Sequence, residues 1–206
     1  MPRVSDGRAP AQPSSPSQKE RYRRILRAAA DHGARYGLDR IQILDVAKDA
    51  DVAIATLYRY FPSKTVLFTA LLHSQVEGLD RTVPKRQPGQ EPADAVGQML
   101  VEAGRRLLER PLLAQAMLQS NNATVAGDSP ALAVTGAFAD LMLRVAGIDS
   151  PTPHDRRLLR IIEQTWYGSL ISELNGHISA AEAEEDTLLA CRLLLAELGR
   201  DAATSR

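Results

Sequence analysis

The sequence predicts an all-α protein of about nine helices, and three observations carry that prediction. Apolar residues recur at three- and four-residue spacing through most of the chain, and no segment alternates like a strand over more than a few residues. Helix-start signals recur, as Ser/Thr-x-x-Glu/Asp boxes and prolines placed for a first turn. Aromatics are only 4% of 206 residues, so the core must be built from Leu, Ala, Ile and Val.

Each element has its own signal. Residues 1–17 are rich in Pro, Ser, Ala and Gln, lack periodicity and are expected to be a disordered tail. Ser17-x-x-Glu20 is a capping box for a first helix that places Ile25, Ala29 and Tyr36 on one face, with Gly37 as its C-terminal cap. A short second helix covers Gln42–Ala50, a tight connection uses Asp51, Val52 and Ala53, and a third helix covers Ile54–Tyr60 before Pro62. Ser63 caps a fourth helix reaching about Arg81, and three prolines make Thr82–Pro92 a loop.

The later helices are expected at Ala93–Glu109, Pro111–Gln119, Pro130–Ala146, Pro153–Leu174 and Ala180–Leu198. Asn121 and Asn122 then fall in a loop. Leu158, Ile162, Trp166, Leu170 and Leu174 recur every four residues on the eighth helix. The ninth is apolar almost all round, with Leu188, Leu189, Cys191, Leu193, Leu194, Leu195 and Leu198. Such a helix is covered on most sides. The cover is either a single monomeric core or a second subunit, and a symmetric dimer, the commonest oligomer, is favoured.

Charge is uneven beneath a net charge of zero. Residues 18–68 hold ten bases and six acids; residues 69–206 hold 13 bases and 18 acids. Six of the nine aromatics precede residue 69. This points to a compact N-terminal unit, residues 18–68, facing a polyanion, and a larger acidic body, residues 69–206. No apolar run is long enough to span a membrane, no secretory leader is evident, and one cysteine excludes a disulfide framework; a cytoplasmic protein is expected. His32, His73, His154 and His177 lack metal-ligand spacing, and no Gly-rich phosphate loop or nucleophile elbow occurs. The chain is therefore expected to be neither an enzyme nor a holder of a metal or other cofactor.

Val46–Leu67 carries the chemistry. Two short helices joined by three residues have the spacing of a helix-turn-helix. Ala47 and Ala50 let the helices cross closely, Val52 plugs the turn, and Asp51 tolerates a left-handed backbone. Leu57 and Phe61 face inward, leaving Ala55, Thr56, Tyr58, Arg59 and Tyr60 outward, where hydroxyls, a guanidinium and small faces suit a major groove. Lys64, in the first turn of the fourth helix, suits a phosphate. Arg21, Arg23 and Arg24 read as phosphate contacts or as a solvated face. Arg3 and Arg8 either reach a minor groove or do nothing.

Thr56-Leu57-Tyr58-Arg59-Tyr60-Phe61-Pro62-Ser63-Lys64, preceded by Ala47-x-x-Ala50-x-Val52, resembles the signature of the tetracycline-repressor family. The resemblance covers about Ile25 to Leu67. It implies an all-α homodimer with a three-helix DNA-binding domain, a divergent ligand-binding body and a four-helix dimer interface from the last two helices. Thr56 and Tyr58 match outward recognition positions, Tyr60 a phosphate-contacting aromatic, and Lys64 the phosphate-binding lysine. Gln42 stands where the family has Thr or Ser, Asp51 replaces the turn glycine, and Ala53 replaces the capping Ser.

The C-terminal half is similar, more loosely, to actinobacterial regulators of sterol catabolism, through Val52–Thr56, Arg110–Leu113 and Trp166-x-x-x-Leu170. That likeness implies a bulky apolar effector, such as the acyl-CoA thioester of a sterol. Expected pocket residues are Met99, Met117, Asn121, Asn122, Phe138, Met142, Trp166 and Tyr167. Each of them taken singly is more often plain core than ligand contact, and Trp166 serves equally at the dimer interface. Leu158, Ile162, Leu170, Leu174, Leu188 and Leu195 are the expected dimer contacts. The expected partners are a palindromic DNA operator, a small-molecule effector and a second copy of the chain, with no membrane. The other reading is a DNA-binding scaffold whose C-terminal domain holds a protein partner.

Overall fold

A computed structural model of the chain describes residues 10–83, 86–123 and 130–198. Among them every regular element is an α-helix: α1 (Pro16–Arg40), α2 (Ile43–Asp49), α3 (Ile54–Tyr60), α4 (Lys64–Asp80), α5 (Pro92–Leu108), α6 (Pro111–Asn122), α7 (Pro130–Ala146), α8 (Pro153–Leu174) and α9 (Ala180–Leu194). No helix among the described residues is long and apolar enough to cross a membrane.

Three boundaries depart from expectation. The N-terminal box of α1 is Ser15 with Gln18, two residues before Ser17 and Glu20. Pro16 at the first helical position explains this, since its fixed φ starts the helix and its missing N–H costs nothing there. Glu20, released from capping, pairs with Arg27 at 3.2 Å. α6 continues through Asn121 and Asn122, with no breaker to stop it at Gln119. α9 stops at Leu194, yet Leu195 and Leu198 beyond it are buried. The boxes at Thr152 with Asp155 and Ser179 with Glu182 form as the sequence predicts. Gly37 interrupts α1 at φ 66° before a last short turn.

The contacts divide the chain into two compact units, Met1–Gln75 with Arg110–Val134, and Val76–Glu109 with Thr135–Arg206. In the first, Ile25, Ala29, Ile41, Val46, Leu57, Phe61, Leu67 and Phe68 are sealed from solvent. α6 packs along α1, so a helix from the middle of the chain folds with the N-terminal helices. The closest approach is at Gly33, where a β-carbon would stand 2.7 Å from Leu113 and 2.8 Å from Phe68. Arg110 and Asp31 pair at 3.0 Å beside it.

In the second unit, α9 packs on both α5 and α8. Gly97 and Gly104, two turns apart on α5, make room for Leu188 and Cys191 of α9 and for Leu170 and Trp166 of α8. Phe138 of α7 stacks on Trp166 with ring centroids 5.1 Å apart. Arg105 grips Glu184 with two bonds of 2.6 Å, and that guanidinium holds the Glu184 carboxyl below its ordinary range.

Candidate nucleic-acid interface

The α2–α3 turn is built from small and special residues. Ala47 and Ala50 are buried against α3, and the Val52 amide donates to the Ala47 carbonyl at 3.0 Å. Asp51 takes φ 51°, the left-handed position the sequence suggests. Arg24 reaches over from α1 and donates to both the Asp51 carboxylate (3.1 Å) and its backbone carbonyl (3.2 Å). A left-handed non-glycine residue carries strain of about 1 kcal/mol, and these two bonds oppose it. His32, isolated in sequence, donates from Nε2 to the Asp49 carboxylate at 2.7 Å and ties α1 to α2. Sequence spacing gives no signal of either tie, because 27 and 17 residues separate the partners.

Ala53 stands at the cap position before α3 and, having no polar side chain, gives the helix no side-chain cap. Ala55, Tyr58 and Arg59 are exposed and Thr56 is half-buried. Tyr60 does not face outward: it is buried, with its ring edge-on to Tyr22 at 5.7 Å. Leu57, Tyr60 and Phe61 lie at i, i+3 and i+4, one face of a helix, and all three pack inward. Only the Tyr60 hydroxyl keeps a polar partner, accepting from Arg59 at 3.3 Å. Gln42 sits exposed at the start of α2 and makes no side-chain cap. Lys64 opens α4, where the Ser63 hydroxyl accepts from the Val66 amide at 3.1 Å.

One further bond has no signal in the sequence. The Ala11 amide donates to the Arg59 carbonyl at 3.0 Å, which ties the chain at Ala11 to the last turn of α3. The earlier residues of the expected tail, with Arg3 and Arg8, lie outside the described residues.

The expected pocket residues separate. Met117 and Asn121 belong to the first unit; Met99, Phe138, Met142, Trp166 and Tyr167 belong to the second. Met99, Met117, Phe138 and Met142 are buried, and Asn122 is exposed. Of this set the structure brings Phe138 and Trp166 into ring contact. In the second unit, Trp166 borders a cleft of about 270 Å³ with Leu100, Gly104, Leu170, Ala183 and Thr187. Met99 borders another of about 370 Å³ with Ala95, Val145, Arg86 and Arg106. In the first unit the buried Arg24 Nε, Thr69 Oγ1 and Asn121 Oδ1 lack hydrogen-bond partners. Among the described residues no acidic, His or Cys group of three could hold a metal ion.

The expected dimer residues also divide. Ile162, Leu170 and Leu195 are buried within the subunit, so they present no surface; Leu158, Leu174 and Leu188 are half-buried. The exposed apolar residues of α8 and α9 are Ile161, Leu189 and Leu193, the last 70% exposed. Gly168, on the outer side of α8, has open space where a β-carbon would be. Glu163 on α8 is half-buried, and burial pushes its carboxyl up to about 7. Burial likewise pushes the Cys191 thiol up to about 12.

The comparisons agree with this architecture. Residues 25–71 match the family of bacterial regulatory proteins of the tetR type, and residues 89–194 match a tetracyclin repressor-like C-terminal domain. The HTH-type transcriptional repressor KstR of Rhodococcus jostii is 32% identical over 188 residues, covering 91% of this chain and 88% of that protein. KstR of Mycobacterium tuberculosis is 31% identical, covering 89% and 84%. A crystal structure of a TetR transcriptional regulator from Rhodococcus sp. RHA1 shares 45% identity with a TM-score of 0.83, covering 90% of this chain and all of that one. Thermus thermophilus FadR, solved in complex with lauroyl-CoA, shares the fold at 23% identity and TM-score 0.58, covering 84% of this chain and 93% of that one. The chain belongs to the tetracycline-repressor family: it is a ligand-responsive, DNA-binding transcriptional repressor and not an enzyme.

Proposed function

We propose that the chain works as a homodimer that holds a palindromic operator and is released by a bulky apolar metabolite of the acyl-thioester class, derived from a sterol or other lipid. Residues 18–68 read DNA, and residues 69–206 bind effector and partner. The observation that carries the reading is the exposed face of α3, with Ala55, Thr56, Tyr58 and Arg59, on a chain that is similar over nine-tenths of its length to KstR repressors. Thr56 and Tyr58 contact base edges. Arg59, Lys64, Gln42 and the hydroxyl edge of Tyr60 contact phosphates, and Arg24 does so only as far as its grip on Asp51 allows.

Pairing through α8 and α9 uses the exposed row of Ile161, Leu189 and Leu193, with Gly168 permitting close approach of a second helix. Twofold symmetry then presents two α3 helices, which must stand one DNA turn apart, about 34–36 Å, or a multiple of it. An effector that favours a mismatched spacing must bind that state about 10⁴-fold better to empty the operator. The Trp166–Phe138 stack and the Met99 cleft supply apolar and polarizable surface for such a molecule. The lauroyl-CoA held by Thermus thermophilus FadR, which shares the fold, is a molecule of the proposed acyl-thioester class.

The test is fluorescence anisotropy on the DNA upstream of the protein's own coding sequence, followed by titration with a sterol-derived acyl-CoA and with free CoA. Release by the thioester and not by CoA alone supports the reading. A complex indifferent to every acyl thioester refutes the effector assignment, and favours a scaffold that binds a protein.

A further inference from the structure

We infer that the outer face of α8 and α9 selects a second copy of this chain by crossed charges, Arg157 and Arg160 of each subunit meeting Glu185 and Asp186 of the other. The inference rests on the α8–α9 pairing proposed above and adds its register and its selectivity.

Both helices belong to the second unit, and they run antiparallel. Glu173 and Ala180 border one cleft at the closed end of the hairpin, and His154 pairs with Glu197 at 3.7 Å at its open end. On α8, Arg157, Arg160, Ile161, Gln164 and Gly168 are exposed and share one face; on α9, Glu185, Asp186, Leu189 and Leu193 do the same. The bases stand near the start of α8 and the acids near the start of α9. Because the helices are antiparallel, the two charges occupy opposite ends of the face, with Leu189 and Ile161 between them. None of the four charged side chains has an ion pair or hydrogen bond among the described residues. In the same unit Arg105, Arg106 and Arg144 each find a carboxylate within the subunit.

A twofold axis perpendicular to the helices exchanges the two ends of the face. Placed beside Leu189, it lies about 7 Å along the helices from each charged end, at 1.5 Å per residue. It then sets the acidic end of each subunit on the basic end of the other, so the contact is made twice. The same axis carries Leu193 over Gly168 of the partner subunit, where a β-carbon would meet nothing within 4 Å. Arg192, also exposed on α9, falls beside Gln164 of the partner subunit, whose amide oxygen accepts from it. Charge and shape therefore give one register. An axis parallel to the helices would bring each charged end against its own kind. Exposed ion pairs add little affinity, so the apolar row holds the subunits together and the charges choose the partner. A chain lacking either charged end leaves the opposing one unpaired, which favours identical copies.

The test is a charge exchange in the full-length protein. One variant is Arg157→Glu with Arg160→Glu; the other is Glu185→Lys with Asp186→Lys and carries a mass tag. Glu182 is left intact, because it caps α9. Dimer dissociation is measured by sedimentation velocity and composition by native mass spectrometry. Each variant alone is expected to dissociate about a hundredfold more readily than wild type, since like charges now face each other. High salt should return part of that loss by screening. An equimolar mixture should regain wild-type affinity, with more than about nine-tenths of the dimers mixed, where random exchange gives about half. Recovery on mixing also shows that both variants fold.

Variants that pair as tightly as wild type, or that mix at random, overturn the crossed charges and leave the homodimer standing. Variants weak both alone and together overturn the register. A wild-type chain that stays monomeric removes the α8–α9 pairing itself, and the selectivity with it.

Discussion

Arg24 holds Asp51 at two points, donating from Nη1 to the carboxylate at 3.1 Å and from Nη2 to the backbone carbonyl at 3.2 Å. The pair closes the helix-turn-helix against α1 at the residue where the backbone is left-handed. Because the Asp51 side chain is largely exposed, the ion pair itself contributes little, and the bond to the carbonyl matters more. Arg24→Ala should lower stability by about 1 kcal/mol in urea unfolding. Asp51→Gly added to that variant should restore a similar amount, because glycine relieves the left-handed strain. A double variant no more stable than Arg24→Ala alone contradicts the strain argument.

Gly33 and Gly136 should respond oppositely to alanine. At Gly33 the new β-carbon meets the Leu113 and Phe68 side chains below 3 Å, so these buried groups must give way, at a cost of about 1–3 kcal/mol. At Gly136, inside α7, nothing lies within 4 Å, and alanine should raise stability by about 0.5–1 kcal/mol. Thermal melts of the two variants decide the matter; equal shifts would deny the close packing at Gly33.

Tyr60 separates packing from DNA contact. Tyr60→Ala deletes a buried ring and should cost about 3–5 kcal/mol, so its weak DNA binding would report unfolding. Tyr60→Phe keeps the ring and removes only the hydroxyl. It should melt near the wild-type temperature and bind a few-fold more weakly across all operators. Lys64→Ala should leave the melt unchanged and reduce the salt slope by about 0.9 per subunit. An unchanged slope would remove Lys64 from the phosphate-binding set.

Glu163 makes stability depend on pH in the reverse of the usual carboxylate sense. Burial raises its folded value from 4.5 to about 7, so the folded state holds the proton more tightly than the unfolded chain. Its stabilising effect is complete below about pH 4.5 and is lost as pH rises through about 7. Glu163→Gln should therefore gain on the order of 1–2 kcal/mol over wild type at pH 8 and show no advantage at pH 4.5. Urea titrations at the two pH values measure this directly, and an equal difference at both would exclude the linkage.

Leu193 tests the outer face of α9. Leu193→Arg places a charge on a residue that the subunit itself leaves exposed, so the monomer should fold and melt normally. Light scattering should show about half the mass of wild type if α8 and α9 pair across a twofold axis. Cys191→Ser, by contrast, alters a buried position and should affect stability before association.

Local signals explain what the sequence makes legible. α3 runs Ile54–Tyr60 as expected because Asp51 and Pro62 punctuate it on both sides. The boxes at Thr152 and Ser179 set the starts of α8 and α9. Tyr60 resists placement because two faces meet at a helix turn and an aromatic with a hydroxyl suits either. The dimer stripe resists it for a related reason: α8 carries apolar residues at both 161 and 162, about 100° apart, and periodicity does not say which one the subunit keeps for itself. Arg24–Asp51, His32–Asp49 and Ala11–Arg59 leave no trace in the sequence because each depends on tertiary placement.

The packing of α6 onto α1 changes what counts as the operator-reading module. A fragment ending at residue 75 would strip Leu113 from Gly33 and leave one flank of α1 bare. Excised by the boundaries of its sequence motif, it would be a damaged piece rather than an autonomous one. Any shift of α6 therefore bears directly on the flank of α1 that the Leu113–Gly33 contact closes.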